Sequence, residues 1–415
     1  MLNSLEKLMA KRVNKRAQIA VLGTPVRDAY LDVDAIDFPE QRVTFRTGAE
    51  QFEIAYQGDA IRFGEKRYAQ CDLGALNLTR FTVRNGGGVY HTGTQMAHLC
   101  RQRQLPVAMS AIDLVTPWPE LELTYAQAGI THLSLGLAQP ATNFVLTNGR
   151  PDRLILKSPD ASTPLSAAQA QQLGRLLPTP LDLLVVNSLR STDLARVVMQ
   201  HAQQVGAAQY SVLTPSLALE ARVELQLLRD RASVCNLSEF ALIAHAVGIA
   251  CPTHEESASL ADVAHAMLTL ARQEKIGDLV VTLGERGCLT GDQATGALTH
   301  VALHASYRQQ VQAYVLAHPE RKNGVGDRFF GSFVLAHAFA QQGYRNRTAH
   351  AAGWASLQMV RQLAPDLTPV RHWVASRQLA HGFGRRTGNP VGNGIKGKTR
   401  WLPQWTLSPA AVALS

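Results

Sequence analysis

The sequence has no run of 18 or more apolar residues, so it offers no helix that could span a bilayer. Its N-terminus lacks the apolar core of a secretory signal. Both absences predict a cytoplasmic protein. Cysteine is scarce: Cys71, Cys100, Cys235, Cys251 and Cys288 are scattered, odd in number and never spaced C-x-x-C. That usage predicts reduced, buried thiols. No histidine pair has the H-E-x-x-H spacing of a zinc hydrolase, and His254-Glu255-Glu256 reads as a solvated cluster rather than a ligand set. No internal repeat is visible.

The body of the chain also lacks net charge. Residues 1–17 carry five bases (Lys7, Lys11, Arg12, Lys15, Arg16) against Glu6, and residues 381–405 carry five (Arg385, Arg386, Lys396, Lys398, Arg400) against no acid. These two segments account for the whole net charge of +9. A neutral body argues against a nucleic-acid-binding core, and the basic ends read as solvated tails.

What remains is ordinary for a globular protein: 415 residues, 46% hydrophobic and 18% charged, long for one domain and short for three. Residues 18–23 read as a short buried strand. Residues 43–46, 52–56, 61–63 and 78–83 alternate apolar and polar, as half-exposed antiparallel strands do. From about residue 93 the pattern becomes helix–strand alternation. Helices are expected at 94–103, 119–129, 165–177, 192–205, 219–230, 238–247, 260–273, after Asp327 to 340, and at 350–363. Strands are expected at 106–111, 183–187, 210–213, 233–236 and 279–283, with a hairpin joining 143–147 to 153–157 across Asn148-Gly149. Such a succession predicts a mostly parallel sheet covered on both faces. Residues 381–400 have no period and read as an irregular basic tail.

The densest chemical signal is Asn323-Gly324-Val325-Gly326-Asp327-Arg328-Phe329, ahead of an apolar helical run. Glycine lets backbone approach a ligand closely, and the first-turn N–H groups of a helix face an anion. An aspartate beside them can take a proton from a nucleophile attacking that anion. Three further elements precede it. They are a glycine pair, Gly87-Gly88; Asn236-x-x-Glu239, which is also the pattern of a helix cap; and Thr282-Leu283-Gly284-x-x-Gly287, which alone is a strand end.

In this order and spacing the four elements resemble the ribokinase/PfkB family of carbohydrate and nucleoside kinases, over roughly residues 18–365. The resemblance implies a ribokinase-like three-layer α/β sandwich over 18–380, with an antiparallel β-lid at about 38–86. An N-terminal extension (1–17) and a C-terminal tail (381–415) flank it. It implies ATP and Mg²⁺ as cofactors, a sugar or nucleoside as acceptor, and a homodimer paired through the lid. Carried over by position, Asp327 is the general base. Gly324, Val325 and Gly326 form the anion hole, and Thr282, Gly284, Gly287 and Asn323 bind the nucleotide. Asn236 and Glu239 hold Mg²⁺, mostly through water. Asp28, Gly87, Gly88 and Thr92 bind the acceptor, with residues 350–359 near the adenine. The chain departs from the family in three places: Thr92 stands where asparagine is usual, Arg321-Lys322 where Asp-Thr is frequent, and Ala111-Ile112-Asp113 where Gly-Asp-Asp is expected. The altered acceptor motifs leave open a nucleoside kinase, or a nucleotide-binding regulatory protein without turnover.

Overall fold

The computed structural model describes residues 16–37, 42–63, 66–73, 81–148, 153–157, 164–187, 191–212, 232–253, 258–274, 276–318, 322, 324–339, 346–367, 374–381, 383 and 399–401. The apolar runs form an 11-stranded sheet. Its parallel half holds β1 (Ala17–Gly23), β8 (Val107–Val115), β9 (Ile130–Ala138), β12 (Leu183–Asn187), β13 (Ala208–Val212), β14 (Ala232–Asn236) and β15 (Asp278–Thr282), ordered β9-β8-β1-β12-β13-β14-β15. Antiparallel β16 (Cys288–Asp292), β17 (Ala297–Leu303), β18 (Val374–His381) and β19 (Thr399–Trp401) extend it beyond β15.

Alternation along the strands sets the layers. Ile19, Val21, Leu183 and Val185 pack on one face, under α1 (Gly88–Gln102), α2 (Pro119–Ala128), α7 (Ala305–Ala317), α8 (Val325–Phe339) and α9 (Arg347–Leu363). Ala20, Leu22, Leu184 and Val186 face the other way, onto α3 (Ala167–Leu176) and α4 (Thr192–Gln204). Leu279 and Val281 continue that second layer onto α5 (Leu237–Ala246) and α6 (Leu260–Gln273). Strands buried on both faces carry the near-continuous apolar runs that made them legible. Among the described residues no helix is long and apolar enough to cross a membrane. All five cysteines are buried free thiols, and burial pushes Cys100, Cys251 and Cys288 up to about 12.

The second sheet is larger than the expected insert at 38–86. Its order is β3-β4-β5-β6-β11-β10-β2-β7. Besides β4 (Arg42–Thr47), β5 (Glu50–Phe63), β6 (Lys66–Cys71) and β7 (Thr82–Gly86) it takes in β2 (Val26–Asp32) and β3 (Ala35–Asp37). It also includes the hairpin strands β10 (Ala141–Thr147) and β11 (Arg153–Lys157). Ala29, Leu31, Val43, Phe45, Ile54, Phe144, Leu146, Leu154 and Leu156 give this sheet a core of its own. That core explains the difference: β2, β10 and β11 supply six of its twelve buried residues.

At its described residues the chain beyond 380 also differs from the expected irregular tail. His381 closes β18, residues 399–401 pair with β18, and Phe383 is fully buried against Gly291. Expectations at 1–15, 78–80, 219–230, 254–256, 384–398 and 402–415 lie outside the described residues.

Candidate active site

Asn236 and Thr282 close β14 and β15, and Asp327 lies against Asn187 at the end of β12, so these expected residues sit at the carboxyl ends of parallel strands, where open α/β sheets bind ligands. α8 begins there. The first backbone bond of its ladder runs from Arg328 N–H to Gly324 C=O (2.9 Å). The N–H groups of Val325, Gly326 and Asp327 therefore precede the ladder and remain available to an anion. Gly326 is exposed, and nothing lies within 4 Å of where its β-carbon would stand. Gly324 turns the chain with φ +66, and a β-carbon there would sit 2.5 Å from the ring of His91. Both constraints require glycine. Asp327 stands in the first turn, where the helix dipole favours a carboxylate.

Asp327 is held from two neighbouring elements. Asn187, the last residue of β12, donates through Nδ2 to Asp327 Oδ1 (3.0 Å). The hydroxyl of Thr92 in α1 donates to the Asp327 backbone carbonyl (3.0 Å) and accepts from Asn187 Nδ2 (2.6 Å). Thr92 and Asn187 are fully buried. The sequence reading included Thr92 and missed Asn187.

The acceptor-side residues lie where the lid meets α1. Asp28 is in β2, a lid strand, and is buried. Its Oδ1 accepts from Asn143 Nδ2 of β10 (3.0 Å). Gly86 approaches so closely that a β-carbon on it would overlap the Asp28 carboxylate. Gly87, at φ 88 and ψ 156, is the N-cap of α1, and Gly88 is its first residue. Asn143 and Gly86 were also missed. Arg328, beside Asp327, partly offsets the rise that burial gives the Tyr90 hydroxyl. It thus brings a cation to the start of α1.

Asn236 and Glu239 lie farther along the same edge. They form a capping box: Glu239 N–H donates to Asn236 Oδ1 and Asn236 N–H to Glu239 Oε2, both at 2.8 Å. Their other reading, as a cap, is thus the observed geometry. Thr282 stands opposite Asn236 in the β14–β15 register, with Gly284 and Gly287 in the turn that follows. Asn323 and Arg321 lie outside the described residues, while Lys322 is half-buried. In the 350–359 segment of α9, His350, Trp354 and Met359 are buried, and burial lowers His350 to about 4.

At the departure Ala111-Ile112-Asp113, Asp113 ends up fully buried against His132 of β9. Its Oδ2 lies 2.7 Å from His132 Nε2, and Glu122 bonds the other ring nitrogen. Burial alone would lower the imidazole, but Asp113 and then Glu122 outweigh it, and the result is raised. A raised folded value stabilises the fold below the ordinary histidine value of 6.5, and that gain is lost as pH rises through the raised value. The melting-temperature deficit of His132→Gln relative to the native protein is therefore expected to be larger at about pH 5.5 than at about pH 8.5. A deficit that grew with pH would contradict the charged triad.

The main sheet and its two helical layers make a three-layer α/β sandwich, joined to a second, lid-like sheet whose β7 runs into α1. No protein-family model matches the sequence, and no curated protein matches it. The likeness is in the structure. Ribokinase from Giardia lamblia superposes with a TM-score of 0.53 at 15% identity, over 84% of this chain and 90% of that one. Phosphofructokinase-2 from Escherichia coli, crystallised with substrates and products, does so with 0.51 at 14% identity, over 83% and 93%. The fold is ribokinase-like.

Proposed function

We propose that this protein is an ATP-dependent phosphotransferase that moves the γ-phosphate of ATP to an alcohol group of a sugar or sugar-like molecule. The observation that carries this reading is the placement of Asp327. Its carboxylate is fixed by Asn187 beside the available N–H groups of α8, and this helix start meets the first turn of α1 through Thr92 and His91, just after Gly86, which packs on Asp28. Phosphoryl transfer depends chiefly on positioning and charge stabilisation. In this reading Asp327 takes the proton of the acceptor hydroxyl. The N–H groups at residues 324–327 stabilise the charge on the transferring group, and Asp28 orients acceptor hydroxyls. The lid excludes water, the competing acceptor.

The residues fit the cofactors. The exposed, unobstructed turn at Gly326 leaves room for a phosphate at a helix N-terminus, and Thr282, Gly284 and Gly287 continue along the strand ends. No cluster of three metal-ligating side chains occurs among the described residues. A lone carboxylate such as Glu239 suits Mg²⁺, which keeps several waters and rides on substrate phosphates. When bound, that ion would neutralise charge on the phosphates.

Because glutamine also completes a capping box, Glu239→Gln separates cap from metal. Its stability is expected to stay within about 0.5 kcal/mol of the native protein, while half-maximal activity needs about tenfold more Mg²⁺. An unchanged Mg²⁺ requirement would leave Glu239 a cap alone. The reading as a whole is tested with ATP, Mg²⁺ and a panel of sugars and nucleosides, followed by product analysis. A phosphorylated nucleoside would narrow the acceptor. ATP binding without transfer to any acceptor would favour a regulatory nucleotide-binding protein.

A further inference from the structure

The carboxyl end of β12 carries a group for which the proposed chemistry has named no purpose beyond contact. Asn187 sits 140 residues from Asp327 in sequence, yet its side-chain amide reaches both the Asp327 carboxylate and the Thr92 hydroxyl. The orientation of that amide follows from its partners. A carboxylate only accepts, so the nitrogen must face Asp327; the flipped amide would set oxygen against oxygen. Nδ2 carries two hydrogens, one for Asp327 Oδ1 and one for Thr92 Oγ1. The Thr92 hydroxyl then has its own hydrogen for the Asp327 carbonyl, the bond observed at 3.0 Å. Strand β12 and helices α1 and α8 thus close on one residue, and side chain and backbone of Asp327 are gripped together.

We propose that Asn187, supported by Thr92, is the positioning residue for the base. It binds Oδ1 of Asp327, fixes the plane of the carboxylate and leaves Oδ2 as the oxygen presented to the acceptor hydroxyl. Asparagine suits the task because it donates to a carboxylate without adding charge and without becoming a competing base. The family resemblance flagged Thr92 as a substituted acceptor contact. The geometry gives it a different employment, as the support of Asn187. This inference rests on the kinase reading for its consequence, not for its geometry.

The test compares Asn187→Leu, Asn187→Asp, Thr92→Val and Thr92→Ser with the native enzyme. Asn187→Leu is expected to lower kcat by about 10–100-fold while the KM for ATP changes by less than about threefold, since a base misplaced by about 1 Å loses that much. Thr92→Ser keeps the hydroxyl and is expected to retain most activity, whereas Thr92→Val loses part. The acidic limb of the pH–kcat profile should move to higher pH in Asn187→Leu, which removes a donor. It should move further in Asn187→Asp, which adds a like charge. A side chain that only stabilised the fold would lower the melting temperature and leave that limb in place. Native kcat and an unmoved limb in Asn187→Leu would overturn the proposal.

A second readout does not depend on turnover. The side-chain amide resonances of ¹⁵N-labelled Asn187, assigned by their absence in Asn187→Leu, are expected to shift when Asp327 is changed to alanine. No shift would overturn the proposal. If the native protein transfers no phosphate to any acceptor, the kinase reading fails separately, and this resonance decides whether the clasp exists.

Discussion

Replacing Asp327 with asparagine is expected to lower kcat for phosphoryl transfer by about 10²–10⁴-fold, the range over which a positioned general base contributes. The substitution is nearly isosteric and keeps a polar group in the first turn of α8. The native far-UV spectrum and ATP affinity should therefore persist. The loss should fall on kcat, because proton removal from the acceptor hydroxyl belongs to the transition state and not to nucleotide binding. Asparagine cannot accept that proton; its amide oxygen can keep the bond that Asn187 Nδ2 now makes at 3.0 Å, which turns an NH2 group toward the acceptor. A mutant that keeps most of the native rate would remove Asp327 from the chemistry.

The second large effect concerns the chain beyond residue 380. Phe383 is fully buried among residues that include Leu289, Leu298, Ile276 and Val281, and its ring lies over Gly291. Its N–H donates to Gly296 C=O (3.1 Å). Phe383→Ala is expected to destabilise the protein by about 3–5 kcal/mol, read from the midpoint of urea unfolding. The same substitution in a solvated tail would change stability by less than about 0.5 kcal/mol. A value in that lower range would return the segment to the tail that the composition suggested.

Where local pattern and burial coincide, the sequence was readable. The parallel strands β1, β12, β14 and β15 are short apolar runs, and α6 occupies the expected residues 260–273. The turn ending α2 was legible because Gly129, at φ +68, does what a helix-ending glycine does. Other elements hid for identifiable reasons. β16 is fully buried yet contains Gly291 and Asp292, so it has no strand period. Asp292 tolerates burial because Thr295 and Thr348 donate to it. β18 reads as Val-Ala-Ser-Arg-Gln-Leu-Ala-His, whose apolar residues do not alternate, and its pairing with β17 is supplied by tertiary context. α7 was not among the expected helices although its pattern is readable: Tyr307, Val311 and Val315 recur at intervals of four and all three are buried.

The site divides in the same way. Gly324 and Asp327 announce themselves because several constraints fall on adjacent residues: a positive φ, a close approach and a helix start. Asn236 and Glu239 announce a cap, which they form. Asn187, Asn143 and Gly86 carry no such signature. Each owes its place to a partner far along the chain, Asp327 for the first and Asp28 for the other two. A lone asparagine at a strand end has no local pattern that sequence periodicity could reveal.

The most direct test follows the labelled γ-phosphate of ATP in a single turnover with Mg²⁺ and each acceptor of the panel. The account predicts that the label appears in ester linkage to an alcohol oxygen with the native protein, and that Asp327→Asn loses this product while still binding ATP. Label that remains in ATP or passes only to water for every acceptor would contradict it, as would equal ester formation by Asp327→Asn.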